Sequence, residues 1–282
     1  MPWSVGRREG NPAAPGLQRL SGPGLLPDLL DPHPLSITLR NGTTTYRVGG
    51  DTPVPGDTLK ATIDGDVAFT DDERDVARIA AGATFDIEQR HAGVTRRLRM
   101  VGGTGAAQRT YTVDGVARPF DAAGRAWLAE RIPELYRVSG FDAAGRSARL
   151  LAAGGAPRLL DEIAKIDFDG VRAEYLVQFF TRATPDPAQT TRAIALLRAI
   201  VSDYEKRRAL DAALARLTPP PEQQALLLTA AAEMQSDHDR AEWLIPAAGK
   251  LSFEGPTAGP WLRALQGIDS DYERQRALHA AM

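Results

Sequence analysis

The residues of this chain that could do chemistry are four histidines, two Asp-rich turns, one glycine-rich loop and a set of charged columns that return every 34 residues. His33, His91, His238 and His279 form no His-Glu-x-x-His pair, so the zinc peptidase helix is absent. Cysteine is absent too, which excludes disulfides, thiol nucleophiles and thiolate metal sites. Gly102-Gly103-Thr104-Gly105 lacks the lysine and the following helix of a phosphate-binding loop and reads as a hairpin loop. There is no Gly-x-Ser-x-Gly elbow for a nucleophilic serine. Asp64, Asp66, Asp71, Asp72, Glu73 and Asp75 carry the carboxylates that a hard cation such as Ca²⁺ needs. Their spacing matches no EF-hand, and two Asp-rich turns are the favoured explanation. Arg96, Arg97 and Arg99 make a basic strand that Asp86 and Glu88 on a neighbouring strand can neutralise. His238 stands in the column of Tyr204, where packing is sufficient to explain it.

The columns are the strongest signal. Ile166, Ile200, Met234 and Ile268 each open a near-copy of the next; Asp169, Asp203, Asp237 and Asp271 follow three residues on, then Leu176, Leu210, Leu244 and Leu278. A fixed period of this length marks stacked supersecondary units. Ser202-Asp-Tyr-Glu205 and Ser270-Asp-Tyr-Glu273 read as capping boxes, with Ser236-Asp-His-Asp239 a weaker form. In the first helix of each unit the apolar stripe is Leu210, Leu214, Leu217, with equivalents Leu176, Phe180, Ala183 and Leu244, Ala248, Leu251. In the second helix it is Leu227, Leu228, Ala231, with equivalents Ala193, Ile194, Leu197 and Trp261, Leu262, Leu265. Prolines 185, 187 and 219–221 and Gly255-Pro256 fall where each hairpin must reverse. The expected unit is helix–loop–helix, stacked as an α-solenoid, with the length of a tetratricopeptide repeat but not its residue pattern, and closer to HEAT hairpins.

Before the repeats the period is two. Ser36–Arg40 and Thr43–Val48 flank Asn41-Gly42, Thr58–Ile63 and Val67–Thr70 flank Asp64-Gly65-Asp66, and Thr84–Arg90, Val94–Val101 and Arg109–Val113 follow, about seven strands in all. Thr70–Ile79 reads as a loop or one helical turn. From Phe120 the period becomes 3.6. Phe-Asp-Ala-Ala-Gly-Arg occurs twice, at 120–125 and 141–146, each time with Asp placed to cap a helix. Pro133 is expected to end or kink the first helix, Ser139-Gly140 to close it, and Gly154-Gly155 to split the next segment. Residues 1–34, with seven prolines and five glycines, read as a disordered tail in which Leu25–Leu30 is a sticky patch. The expected organisation is therefore a tail over 1–34, an antiparallel β domain over 35–118 and a helical repeat domain over 119–282, an α+β chain.

The bulk numbers fit two modest domains: 282 residues, 43% apolar, 25% charged. A net charge of −2 gives no field that would draw nucleic acid. No apolar run is long enough to span a membrane, and no signal peptide is visible, which points to the cytoplasm with an extracytoplasmic location as the alternative.

Ile200–Leu210, Ile268–Leu278 (with Gln275 at the Arg place) and, more weakly, Met234–Leu244 follow the pattern Ile-x-Ser-Asp-Tyr-Glu-x-Arg-x-x-Leu. This resembles a group of uncharacterised bacterial proteins that carry such repeats after a small β domain. The stretch Phe69-Thr-Asp-Asp-Glu-Arg-Asp-Val-Ala77 adds to the likeness. Some of these proteins accompany membrane-bound sensor metallopeptidases of the BlaR kind, so the resemblance implies an envelope-associated regulatory role and brings no catalytic residues.

Together these readings assign no catalytic residue, no metal ligand and no cofactor. They expect a non-catalytic protein- or peptide-binding scaffold, with the sensor portion of a metallopeptidase signalling system as the alternative. The candidate interaction residues are Asp203, Asp237 and Asp271, Arg208 and Arg276, and Leu278, either as caps and solvent-face charges or as a grip on a peptide. Leu278 and Met282, in the first helix of the fourth copy, leave an apolar stripe that should seek a partner or a second copy.

Overall fold

The computed structural model of the chain describes residues 35–41, 44–48 and 58–281. The expected tail, Leu25–Leu30, His33, Gly42 and Met282 lie outside them. The described residues belong to one compact unit.

Strands β1 (Leu35–Asn41), β2 (Thr44–Val48), β3 (Thr58–Asp64), β6 (Thr84–His91), β7 (Val94–Val101), β8 (Gln108–Val113) and β9 (Val116–Arg118) form one sheet in the order β2-β1-β3-β6-β7-β8-β9. It is antiparallel except for the parallel pair β1–β3. Alternation decides the register. Phe85 faces Met100 and Ile87 faces Leu98 on the buried side, while Asp86 and Glu88 face Arg99 and Arg97 on the other. Arg97 Nε donates to Asp86 Oδ1 at 2.9 Å, the cross-strand pairing expected for the basic strand.

Two expectations fail here. Thr58–Asp64 and the next strand do not make a hairpin across Gly65. Instead β4 (Val67–Phe69) pairs with β5 (Val76–Ile79) in a separate two-stranded sheet. The segment Thr70–Ile79 is thus a turn followed by a strand. Thr70 organises the turn: its Oγ1 donates to Asp72 Oδ1 (2.6 Å) and accepts Arg74 and Asp75 N–H (3.1 Å each).

Helix α1 (Ala122–Ser139) lies on the sheet. Its Trp127, Leu128, Ile132, Leu135, Tyr136 and Val138 join Leu59, Ala61, Ile63, Phe85, Ile87, Leu98 and Met100 in one core. That burial carries the helix past Pro133, which does not end it, up to the left-handed Gly140 (φ 65°) that does. Helix α2 (Ala143–Ile163) is broken at Gly154 and Gly155, as the sequence indicates.

Helices α3 (Asp169–Arg182), α5 (Asp203–Arg216), α7 (Asp237–Ala248) and α9 (Asp271–Ala280) start 34 residues apart. Between them lie α4 (Pro187–Arg198), α6 (Pro221–Ala232) and α8 (Ala258–Gln266), the last preceded by a 3₁₀ turn at Gly255–Thr257. Contacts run along two rows: α3 touches α5, α5 touches α7 and α7 touches α9, while α2, α4, α6 and α8 touch in the same manner. Leu176, Leu210 and Leu244, with Ile194, Leu197, Leu227 and Leu228, form the second core. The stripe expected for α8 fails in part: Trp261 is buried but Leu262 is exposed, and Ala264 takes the inward place. Packing reaches α8 from α6 and α9. Among the described residues, no helix is long and apolar enough to cross a membrane.

Candidate interaction surface

The aspartate column does more than the sequence indicates. Each Asp occupies the first position of its helix, near the positive end of the helix dipole, and Asp169, Asp203 and Asp237 also reach into the next repeat. Asp169 Oδ2 accepts Val201 and Ser202 N–H (2.9 and 2.8 Å). Asp203 Oδ2 accepts Gln235 and Ser236 N–H (2.8 and 2.6 Å), and Asp237 Oδ2 accepts Ser270 N–H (2.8 Å). The donors are backbone groups at the start of a helix, which have no acceptor within that helix. One carboxylate therefore stitches two successive units.

This changes the capping boxes. Ser202, Ser236 and Ser270 accept the N–H three residues on, as expected. The reciprocal bond from Glu205 or Glu273 to the serine N–H is not made, because the Asp of the preceding repeat holds that N–H. Glu205 and Glu273 turn instead to Arg208 and Arg276 (2.5 and 2.7 Å). The complete capping box of the helical region is Asp186 with Gln189, on α4.

Arg208 and Arg276 belong to a column of alternating sign: Glu174, Arg208, Glu242, Arg276. Arg208 Nη2 meets Glu174 Oε2 at 3.0 Å and Arg276 Nη2 meets Glu242 Oε1 at 2.6 Å. Arg207 Nε adds a link to Asp239 (2.8 Å). The predicted interaction residues are thus largely spent on joining repeats. A further basic column was missed: Arg172, Arg240 and Arg274 donate to the carbonyls of Ala199, Met234 and Ile268 at the ends of second-row helices. Arg240 needs room that Gly267 leaves, since a Cβ there would lie 2.3 Å from Arg240 Nη1.

His238 is not explained by packing. Its side chain is 64% exposed and Nδ1 lies 3.2 Å from Glu273 Oε1. Tyr204 and Tyr272 in the same column are exposed as well, with Arg207 and Arg276 over their rings at 5.8 and 5.7 Å. Burial alone would raise the Glu273 carboxyl, but His238 and Arg276 outweigh it and hold the group below the usual range. Between α7 and α9 an open groove of about 540 Å³ is lined by Ile245, Tyr272, Gln275, Arg276 and His279.

At α9 the pattern is interrupted. Leu176, Leu210 and Leu244 are 0% exposed; Leu278 is 44% exposed. Ile194 and Leu228 are 0% exposed; Leu262 in their column is 57% exposed. Asp271 is 97% exposed at its side chain, where Arg274 Nη1 meets Oδ1 at 3.1 Å.

The Asp-rich turns gather no metal-ligand cluster among the described residues. Asp66 pairs with Arg78, Asp75 with Arg109 (2.9 Å) and Asp72 with Thr70. Glu73, at φ 58°, reaches the other region of the fold. It binds Arg146 Nε and Nη2 (2.6 and 2.9 Å), and Arg146 Nη2 also meets Glu162 Oε1 (2.8 Å). Arg146 is 1% exposed and lies 4.7 Å over the Tyr136 ring. Arg137 completes the cluster with a bidentate bond to Glu162 (2.6 and 3.1 Å). Burial raises the Tyr175 hydroxyl to about 12 against the opposing pull of Arg146. Burial would likewise raise Glu162, but Arg137 and Arg146 prevail and keep it ionised below the usual carboxylate range. No spacing rule could have found this cluster, because Glu73 and Arg146 meet only through the tertiary fold. His91 and His279 are exposed, the first at the β6–β7 turn and the second on α9. Gly102 sits in the β7–β8 loop, as expected, and is required there by close packing: a Cβ would fall 1.8 Å from the Ala80 carbonyl oxygen. Comparison of the chain with protein-family models, with curated proteins and with solved structures returns no match.

Proposed function

We propose that this chain is a non-catalytic scaffold in which the helical region is an α-solenoid and the exposed apolar residues of α8 and α9 hold another protein or peptide. The observation that carries the reading is the exposure of Leu278 and Leu262 at positions where every described equivalent is buried. Apolar side chains left exposed on two adjacent helices are candidates for contact with a partner. Two further features support it. The charged columns are already paired within the fold, which leaves apolar contact as the available driving force. The Glu73–Arg146–Glu162 cluster ties the helical region to the β domain, so these residues are presented on a rigid support.

The test is Leu278→Asp. The variant should keep the near-ultraviolet dichroism of the β-domain aromatics and lose a partner that the wild type retains from native lysate, or change oligomeric state. Identical retention and identical oligomeric state in both proteins would refute these residues as the binding surface.

A further inference from the structure

Midway along the helical region the basic column changes residue type. Arg172, Lys206, Arg240 and Arg274 stand 34 residues apart. The three arginines are tied down: Arg172 donates to the Ala199 carbonyl (3.3 Å), and Arg240 and Arg274 each donate to the carbonyl six residues before them, those of Met234 and Ile268. Lys206 is only 5% exposed, yet its ammonium has neither a hydrogen bond nor an ion pair among the described residues. The equivalent carbonyl, that of Ile200, is not bonded by it. We infer that Lys206 is the anion-binding group of a small-molecule site between α4, α5 and α6, and that its ligand class is an aliphatic carboxylate carrying a single negative charge.

The site has a wall and a volume. An open cavity of about 630 Å³ lies where the ends of α4 and α6 meet the start of α5, and Lys206 lines it. That volume falls in the range of small-molecule sites. The other charges of the wall are already committed. Arg198 Nε donates to Glu233 (3.2 Å), and Asp203 Oδ2 holds the Gln235 and Ser236 N–H groups. Lys206 is therefore the lining cation left without an anion among the described residues. An ammonium withdrawn from water without a partner is costly, and a ligand carboxylate restores the lost interaction as a charge-assisted hydrogen bond. One free cation in a wall that also holds Asp203 and Glu233 sets the ligand's charge. A monoanion balances Lys206, whereas a phosphate dianion adds repulsion from the two carboxylates. The remainder of the wall sets the remainder of the ligand. Val201 is 81% exposed and, with Ala195 and Ala199, offers apolar surface to an aliphatic chain. The residue type follows from the same geometry. Arginine in this column spends its guanidinium on the chain's own carbonyls, while the lysine keeps its charge free.

The experiment titrates the full chain, labelled with carbon-13 at lysine Cε, with sodium hexanoate. Four lysine signals are followed by NMR: Lys60, Lys165, Lys206 and Lys250. The signal that disappears in Lys206→Arg assigns Lys206. Hexanoate should move that signal saturably and one-to-one, with the other three moving no more than sodium chloride moves them at equal ionic strength. Hexanol and hexyl phosphate should bind at least about tenfold more weakly, and calorimetry with Lys206→Met should show a loss of hexanoate affinity of at least about tenfold. The wild-type titration decides by itself if that variant is unstable. N-acetyl-alanyl-valine, which carries the same carboxylate at a chain end, is titrated in parallel. Tighter binding of the dipeptide would assign the site to a peptide terminus, and tighter binding of hexanoate to a free acid; both support the carboxylate. No movement of the Lys206 signal, or equal movement of all four, overturns the site. Hexanol or hexyl phosphate binding as tightly as hexanoate overturns the ligand class. Full hexanoate affinity in Lys206→Met overturns Lys206 as the group that holds it. None of these outcomes involves the exposed leucines of α8 and α9, so the site and the scaffold reading stand or fall separately.

Discussion

Replacing Asp203 by alanine separates two accounts of the aspartate column by magnitude. If Asp203 is only a negative charge in the first turn of α5, its loss costs about 0.3–1 kcal/mol. The structure gives it two charge-assisted hydrogen bonds across the repeat boundary, to Gln235 N–H at 2.8 Å and Ser236 N–H at 2.6 Å. Bonds to a charged group contribute about 1.5–3 kcal/mol each. The Gln235 amide is solvent-accessible, so water replaces part of its loss, whereas the Ser236 amide is half-buried. The expected cost of Asp203→Ala is therefore about 2–4 kcal/mol. Asp271→Ala is the internal control: the same residue at the same helix position, near the same dipole, with only an exposed pair to Arg274. Its cost should stay below about 1 kcal/mol. Urea denaturation followed by far-ultraviolet dichroism measures both, and Asp237→Ala, with its single bond to Ser270, should fall between them. Equal losses for Asp203→Ala and Asp271→Ala would refute the stitching account and return the column to simple dipole compensation.

Three other outcomes follow from the same geometry. Arg146→Met leaves Glu73 and part of Glu162 without their cation and should cost about 3–5 kcal/mol, while the further change Glu73→Gln in that background should recover part of the loss, as a double-mutant cycle in urea will report. Glu162 has a depressed carboxyl, so its contribution is present above its unfolded value of about 4.5 and disappears as pH falls through the lower folded value; the stabilities of wild type and Glu162→Gln should differ at pH 7 and approach each other as pH falls below the unfolded value, and a constant difference across that window would contradict the assignment. Gly102→Ala drives a Cβ into the Ala80 carbonyl and should cost about 1–3 kcal/mol in thermal unfolding, where an ordinary exposed loop glycine would cost almost nothing.

Much of the fold is legible in the chain because it depends on local periods. The alternation of Phe85, Ile87, Leu98 and Met100 fixes a hairpin without reference to anything distant, and the recurrence of Ile166, Ile200, Met234 and Ile268 fixes where each first-row helix begins. The failures are places where a distant surface overrides a local rule. Pro133 does not end α1, because the helix gains the face of the sheet on both sides of it. The strand Val67–Phe69 leaves its neighbour across Gly65 because β6 and β1 already occupy both edges of β3. The candidate site divides in the same manner. The positions of Asp169, Asp203 and Asp237 are visible in the period, yet their acceptor role is not, since the N–H groups they hold lie 32 or 33 residues further on.

The repeated hexapeptide states the division most directly. Phe120–Arg125 and Phe141–Arg146 are identical, and in both the sequence alone determines that Asp caps the helix that follows, because the cap is made within three residues. Only the tertiary structure decides the two arginines. Arg125 stays at the surface and returns to the carbonyl of Phe120, while Arg146 is enclosed by Glu73, Glu162, Tyr136 and Tyr175. A guanidinium takes its meaning from the charges and rings brought around it. Those come from the β4–β5 turn and from three different helices, which no local stretch of sequence contains.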